Sequence, residues 1–203
     1  MMEGMMGTLH TITSGIVALL GAAPTIAAPF SGPHVGIQLG AVERSASATI
    51  AGRTLRGSDT AFSYGALAGY DLSLGQAVVG VQVEVNGATG AVRADDGAGT
   101  FSDFDPKWGY AVSTRAGFLA TPNLLLYGRL GYSAERVREV FGGPTILIVA
   151  IPPKARWLSG SQYGGGAEFA LSPTTSIRAE YRRNDYTSRY KANQFLTGGI
   201  FRF

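Results

Sequence analysis

The 203-residue chain contains no cysteine, only two histidines and few charged side chains. Without cysteine it can form neither a disulfide framework nor a thiolate metal site. Charged residues make up 15% of the chain, below the roughly 25% of typical soluble domains. The net charge of +3 is small and scattered, whereas a nucleic-acid-binding surface needs a basic stripe. These shortages argue against a disulfide scaffold and against a nucleic-acid partner.

The chain also has little positive charge near its start, because no lysine or arginine precedes Arg44. An apolar run at Gly15–Ala23 leads into the small residues of 24–28, and it is too short for a spanning helix. This pattern predicts a signal peptide over residues 1–27 and one domain over residues 28–203. The missing basic leader leaves an alternative open, an apolar N-terminal helix that stays attached.

No helical periodicity of useful length follows residue 33, and the dominant period is two. Alternation is found in eight segments, about 34–44, 62–72, 79–86, 108–118, 124–135, 157–171, 177–182 and 194–203. Short connections (73–76, 121–123, 172–175) alternate with long ones at about 45–60, 87–106, 139–156 and 187–193. The pattern predicts an all-β, eight-stranded antiparallel up-and-down transmembrane β-barrel with short periplasmic turns and longer external loops.

The two faces of these strands differ in a way that indicates lipid outside. One face carries Val, Leu, Ile, Ala and Phe with aromatic residues near the strand ends, as in interfacial girdles. The other combines ionised residues with many glycines, which suits a crowded interior, where buried charges must pair. The expected charge network of the lumen comprises Glu84, Arg115, Arg129, Glu168, Arg178, Glu180, Arg182 and Arg202. The alternative is a soluble lipocalin-type barrel whose charges are solvated.

Little in the chain points to catalysis, a metal or a cofactor. A lipid-modifying hydrolase would need a histidine beside a serine near the external rim. The histidines are His10, in the predicted signal, and His34, which we expect to be structural or solvated. The four aspartates between 95 and 105 lack the closing glutamate of a calcium loop and indicate a solvated acidic loop. We predict no catalytic, cofactor-binding or metal-binding residues.

The run Gly164–Arg182, the last strand and the aromatic C-terminus resemble the small porin-family surface proteins of Gram-negative outer membranes. Their barrel is similar to the OmpA transmembrane domain, and the resemblance covers residues 33–203. It implies an outer-membrane location and recognition of the last strand by the barrel-assembly machinery. The residues that match this assembly signal are Phe195, Phe201 and Phe203. Thr197 and Gly199 depart from the usual apolar pattern.

Two features of the external side suggest partners. The apolar segment Thr145–Ile151 predicts a contact with a protein or a neighbouring barrel, or else an extension of strands five and six. Basic residues near the external rim predict contacts with phosphorylated lipopolysaccharide, or else ordinary rim charge. They are Arg136, Arg138, Lys154, Arg156, Arg189 and Lys191.

The functional expectation is an integral outer-membrane barrel with a structural or surface role and a lumen filled by polar side chains. The alternative is a narrow diffusion pore for small solutes. Eight strands enclose an interior just wide enough for side chains to fill, which disfavours a large pore. A surface adhesin or ligand-binding protein is a third, weaker interpretation.

Overall fold

The computed structural model describes residues 29–50, 53–95, 101–142, 154–187 and 190–203, and these residues form β-strands joined by turns. Nine strands follow in chain order: β1 (Gly32–Ile50), β2 (Arg53–Leu74), β3 (Ala77–Ala88), β4 (Val92–Asp95), β5 (Phe101–Thr121), β6 (Leu124–Gly142), β7 (Lys154–Ala170), β8 (Thr175–Thr187) and β9 (Tyr190–Arg202). Within the described ranges, no helix is long and apolar enough to cross a membrane. The predicted signal peptide and the segment 145–151 lie outside these ranges.

Antiparallel pairing joins the strands into a closed ring. Neighbours along the chain pair with each other except β3 and β4, and β9 pairs back to β1, with Val35 opposite Phe201. After a break at residues 89–91, β4 continues the position of β3 and pairs with β5. Nine segments therefore occupy eight positions, which confirms the predicted eight-stranded antiparallel barrel.

Short turns close one end of the barrel, as the sequence predicts. Leu74 pairs with Ala77 across a two-residue turn in which Gly75 has a φ of 71°, a conformation that favours glycine. Residues 122–123 connect β5 to β6, and residues 171–174 connect β7 to β8. The start of β1 and the end of β9 lie here too, because the Phe203 amide donates to the Pro33 carbonyl at 3.1 Å. We call this the turn end.

At the opposite end the strands run further than predicted, so the bounds expected for several of the longer connections were wrong. Strand β1 continues to Ile50 and β2 begins at Arg53, so nearly all of 45–60 is paired hairpin. Likewise β5 begins at Phe101, β6 ends at Gly142 and β9 begins at Tyr190. Most outward residues of these segments, such as Ser45, Thr54 and Arg138, are polar and resemble loop residues in sequence. The strands persist because alternate side chains point inward onto an apolar core.

The outer wall changes character along the barrel axis. From the turn end, exposed apolar side chains continue to a ring of aromatic residues, which we call the aromatic belt: Phe62, Tyr64, Trp108, Tyr110, Tyr132, Trp157, Tyr181 and Phe195. Beyond the belt, exposed outward positions carry polar residues such as Ser45, Thr54 and Arg138. We call this part, residues 43–60, 92–106, 136–142, 154–156 and 183–193 where they are described, the extension.

The interior has three layers. At the turn end a small apolar cluster contains Phe30, Val78, Leu125, Tyr127 and Ala170. The middle layer, inside the apolar outer wall, is polar and ionised. At and beyond the belt a second apolar core contains Ala46, Leu55, Val92, Ala94, Phe104, Val137, Leu158 and Tyr190.

Candidate functional site

Among the described residues, buried ionisable and polar side chains are most concentrated in the middle layer of the interior. Strand alternation turns all eight residues of the predicted charge network inward, and each is at most 6% exposed. Counting Asp71, which is fully buried, the layer holds five arginines and four carboxylates. Such charges are tolerated in an interior only when they are paired and hydrogen-bonded.

Nearer the turn end, Glu168 is the centre of one cluster. Its carboxylate lies 2.8 Å from Arg115, 3.0 Å from Arg178 and 2.6 Å from Arg202. Asp71 accepts a bidentate interaction from Arg115, whose Nε lies 2.9 Å from Oδ1, and a further bond from Arg202 at 3.2 Å. These contacts join β2, β5, β7, β8 and β9 across the lumen.

Nearer the belt, two glutamates and two arginines form a second cluster. Arg129 Nη1 lies 2.8 Å from Glu84 and 2.7 Å from Glu180. Arg182 contacts both glutamates, with Nη1 at 2.5 Å from Glu84 Oε2. Arg178 Nη1 lies 3.9 Å from Glu180 and so links the two clusters.

A layer of amides and hydroxyls completes the hydrogen bonds of the second cluster. Arg182 donates to Gln38 at 2.8 Å, and Arg129 donates to Ser113 at 2.7 Å and to Gln162 at 2.8 Å. Because these partners lie on different strands, the side chains bridge the lumen instead of lining it. A gap above them leaves about 20 Å³ for water-molecule centres, which is room for about one water.

Glycine on β7 makes space for this network. Gly164 and Gly166 face inward beside Gln162 and Glu168. A Cβ at Gly164 would press against the Tyr181 carbonyl, and one at Gly166 would lie 2.9 Å from the Tyr127 hydroxyl. Gly164 and Gly166 therefore permit close packing of β7 against β8 and against the Tyr127 ring.

His34 is buried in the lumen, with Nδ1 3.3 Å from Asp71. The histidine therefore belongs to the Asp71 cluster near the turn end, and not to a rim beside a serine. Among the described residues, no group of three or more histidine, cysteine, aspartate or glutamate side chains could hold a metal ion.

Sequence reasoning missed a polar contact near the belt. Arg44 Nη2 lies 3.5 Å from Glu135, and the Tyr190 hydroxyl donates to the same carboxylate at 3.2 Å. Burial, helped by the Glu135 charge, holds the pKa of Tyr190 well above its ordinary value, so the phenol stays protonated as donor. The alternation along β1 could have indicated that Arg44 points into the lumen, because Arg44 shares a face with Gln38.

Phe30 was also missed. It precedes β1, is 1% exposed, and packs in the turn-end cluster with Arg202 5.4 Å from its ring centroid. No periodicity could have placed it, since a single aromatic residue outside a strand has no register.

The predicted basic residues do not form one cluster. Arg136 and Arg138 are exposed on the outward face of β6, whereas Lys191 is exposed on β9, three positions around the ring. Arg156 lies at the rim, 3.0 Å from Glu139. Of Lys154 only the backbone is described, and Arg189 lies outside the described residues.

Arg136 has a distinctive setting on the outer wall. Its register partners are Trp108 on β5 and Trp157 on β7. The two indole rings lie edge to face, with centroids 5.0 Å apart. Arginine and tryptophan together are typical of the boundary between lipid tails and headgroups.

The three phenylalanines of the predicted assembly signal point outward from β9 and its end. They are 64%, 47% and 68% exposed at Phe195, Phe201 and Phe203. Arg202, between the last two, is buried in the lumen at 2% exposure. The last strand is therefore apolar outside and charged inside.

A closed ring of antiparallel strands with an apolar outer wall, an aromatic belt and an ion-paired lumen defines a transmembrane β-barrel. The chain belongs to the outer membrane protein β-barrel domain family, whose model matches residues 13–203. It is an outer-membrane barrel protein.

The chain is also similar to curated relatives and to solved structures. The chain is 28% identical over 134 residues to the 31 kDa outer-membrane immunogenic proteins of Brucella melitensis and Brucella suis, covering 63% of this chain and 55% of theirs. The chain thus spans little more than half the length of these relatives. Neisserial surface protein A is 16% identical with a TM-score of 0.54, over 85% of this chain and 98% of that one. Ail of Yersinia pestis is 18% identical with a TM-score of 0.48, over 85% and 99%.

Proposed function

We propose that this protein is a closed, non-conducting barrel with a structural and surface role in the outer membrane, and without enzymatic activity. The observation that carries the proposal is the set of ion pairs that cross the lumen. Arg182 on β8 reaches Glu84 on β3, for example, and Arg115 on β5 reaches Glu168 on β7. A solute path would require these pairs to separate, leaving charges uncompensated in a low-dielectric interior.

The layers on either side of the network support the same proposal. Phe30 and its neighbours fill the turn end, and Leu55, Phe104 and Tyr190 belong to the core of the extension. Apolar side chains in these positions offer no hydrated route to small polar solutes. The immunogenic description of the Brucella relatives fits a protein exposed at the cell surface.

Planar bilayer recordings test the closed lumen. We expect purified, refolded protein to give no stable conductance steps, while a large porin recorded in the same bilayers shows that insertion is detected. Reproducible steps from the purified barrel would favour the diffusion-pore alternative and contradict the proposal.

We further propose that the outward basic residues contact lipopolysaccharide phosphates. Arg136 is the strongest candidate, because it lies between the two tryptophans of the belt, and Arg138 follows on the same face. A guanidinium at this level can bind a phosphate bidentately while the indoles remain in the interface.

The test compares two pairs of exposed cations. We expect Arg136→Gln with Arg138→Gln to reduce lipopolysaccharide retained by the purified barrel several-fold. The control is Arg93→Gln with Lys107→Gln, which removes the same charge from cations already 2.8 Å from Asp103 and 2.5 Å from Asp105. Equal losses in both variants would indicate that Arg136 and Arg138 are ordinary rim charges without a specific contact to lipopolysaccharide.

Biogenesis and orientation complete the proposal. We propose that residues 1–27 are a signal peptide, that the turn end faces the periplasm, and that Phe195, Phe201 and Phe203 are read by the barrel-assembly machinery. An epitope inserted at 51–52 should then be accessible on intact cells, and one at 75–76 should not. The opposite labelling would invert the barrel. The partner contact of segment 145–151 stays a prediction.

A further inference from the structure

A shallow, open groove crosses three strands on the outer wall of the extension. Its volume is about 430 Å³. The residues that line it are Ser45, Ala46, Ser47, Arg56, Gly57, Ser58 and Lys191. We call it the serine groove.

The strand register brings its polar side chains to one place. Ser45 pairs with Ser58 on β2 and with Lys191 on β9, and Ser47 pairs with Arg56. These side chains point outward, since the intervening Ala46 is 5% exposed and belongs to the apolar core. The groove therefore rests on a packed wall and not on a loose loop.

Its height is that of the headgroup region and not of the lipid tails. Ala41 pairs with the belt residues Phe62 and Phe195, and Ser45 lies four residues further along β1. Four residues are about 13 Å of strand, or about 10 Å along the axis of a barrel with ~40° tilt. A ligand in the groove would sit just outside the apolar layer.

The chemistry of the lining suits an anionic sugar. It offers three hydroxyls, which both donate and accept, and two cations, and none of the lining residues is acidic. Two carboxylates flank the groove, because Asp95 is the register partner of Arg56 and Asp185 that of Lys191. Arg183 already lies 3.2 Å from Asp185. Arginine binds phosphate as a fork and lysine as a point charge, while serine hydroxyls match sugar hydroxyls.

We propose that the serine groove binds a phosphorylated sugar of the lipopolysaccharide headgroup, with Arg56 and Lys191 on the phosphate and the serines on the sugar. This inference rests on the proposed lipopolysaccharide contact and on the outward orientation of the extension. It adds a second site, on β9, β1 and β2, separated around the ring from Arg136 on β6. The barrel would then hold outer-leaflet headgroups on two sides.

The test uses the protein in phosphatidylcholine nanodiscs and a soluble probe, the bisphosphorylated glucosamine disaccharide left after deacylation of lipid A. Backbone amide shifts of Ser45 and Ser58 report binding at the groove itself. We expect saturable shifts, a loss of affinity of at least tenfold in Arg56→Gln with Lys191→Gln, and about threefold in Ser45→Ala with Ser58→Ala. The control is Lys107→Gln with Arg156→Gln, two exposed cations on β5 and β7 that already pair with Asp105 and Glu139, and it should change affinity less than twofold.

Several results would contradict the proposed binding of a phosphorylated sugar in the serine groove. They are an absence of shifts at Ser45 and Ser58, equal weakening by the control pair, equal binding of the unphosphorylated disaccharide, or equal binding of inorganic phosphate alone. The site-resolved shifts keep this test apart from the retention experiment on Arg136 and Arg138. Retention can fail while the groove binds the probe, and the groove can fail while retention holds.

Discussion

The middle of the barrel and the extension share most of their strands, yet the interior of the middle is mainly ionised and that of the extension is mainly apolar. In the middle, the outer wall is apolar and the interior holds five arginines and four carboxylates. In the extension, the outer wall is polar and the interior holds residues such as Leu55 and Phe104. Side chains alternate between the two faces in both regions. The outward face is apolar where lipid surrounds the barrel and polar where water surrounds it.

The difference teaches how one hairpin passes from lipid into water. Strand β1 presents Ile37 and Leu39 outward below the belt, and Ser45 outward above it. Its inward residues change from Gln38 to Ala46 over the same distance. The backbone hydrogen bonding continues unbroken along the strand. Only the side chains change, so that the apolar and polar faces exchange places.

The largest expected effect breaks the charged interior. Glu168→Ala leaves Arg115, Arg178 and Arg202 without their shared carboxylate. We expect the free energy of unfolding to fall by about 3–5 kcal/mol, because a buried charge loses its partner. Urea titration of the barrel in detergent, followed by heat-modifiable gel mobility, measures this.

The matched control is Asp103→Ala, which removes a carboxylate from an exposed pair of the extension. We expect it to leave the unfolding midpoint nearly unchanged, because exposed pairs contribute little. Equal destabilisation by the two substitutions would contradict the distinction between the two regions.

The second effect reverses the chemistry of the extension. Leu55→Gln places an amide in the apolar core, where Leu55 is fully buried. We expect a loss of about 2–3 kcal/mol from lost burial and an unsatisfied polar group. The loss should be local, so that limited proteolysis cuts the extension while the membrane part keeps its folded gel mobility.

The neighbouring outward residue gives the control for that variant. Thr54→Gln adds a similar amide to an exposed position of the same strand. Protease resistance should then match the wild type. If both variants are cut alike, the extension has no core of the kind proposed.

The third effect compares inside and outside on the last strand. Arg202 donates to Ser176 at 2.9 Å and to Asp71 at 3.2 Å, so Arg202→Ala should cost about 1.5–3 kcal/mol of stability. Deleting Phe203, which is 68% exposed, should instead lower the amount inserted in the outer membrane. The measurement pairs inserted yield with unfolding midpoint for each variant. Normal yield without Phe203 would make it an ordinary strand end.

The smallest effect concerns the exposed pair of Arg93 and Asp103, at 2.8 Å. In a double-mutant cycle we expect a coupling near the limit of measurement, and none at 1 M salt, because screening weakens exposed charges. A coupling that survives high salt would indicate that the extension excludes water from this pair.

Alternation in the sequence was sufficient for the eight strand positions and for the two faces of each strand. Glu84, Arg115 and Glu180 were placed inside by parity, since a period of two needs no knowledge of neighbours. Short turns were also readable, because Gly75 and Pro122 belong to types that favour turns. The sequence by itself thus determined the number of strand positions, the class of barrel and which side chains face the lumen.

Which of those side chains pair with each other could not be predicted without the closed ring. Arg182 and Glu84 are 98 residues apart, and only the stagger of eight strands brings them within 2.5 Å. The length of the strands was decided in the same way, because Val92, Phe104 and Val137 form a core only after the hairpins stand side by side. The sequence analysis treated the basic residues of β6 and β9 as one group, but in the folded ring they lie on two separate surfaces. Parity is a local property of an extended chain, whereas register and closure arise from pairing between distant segments.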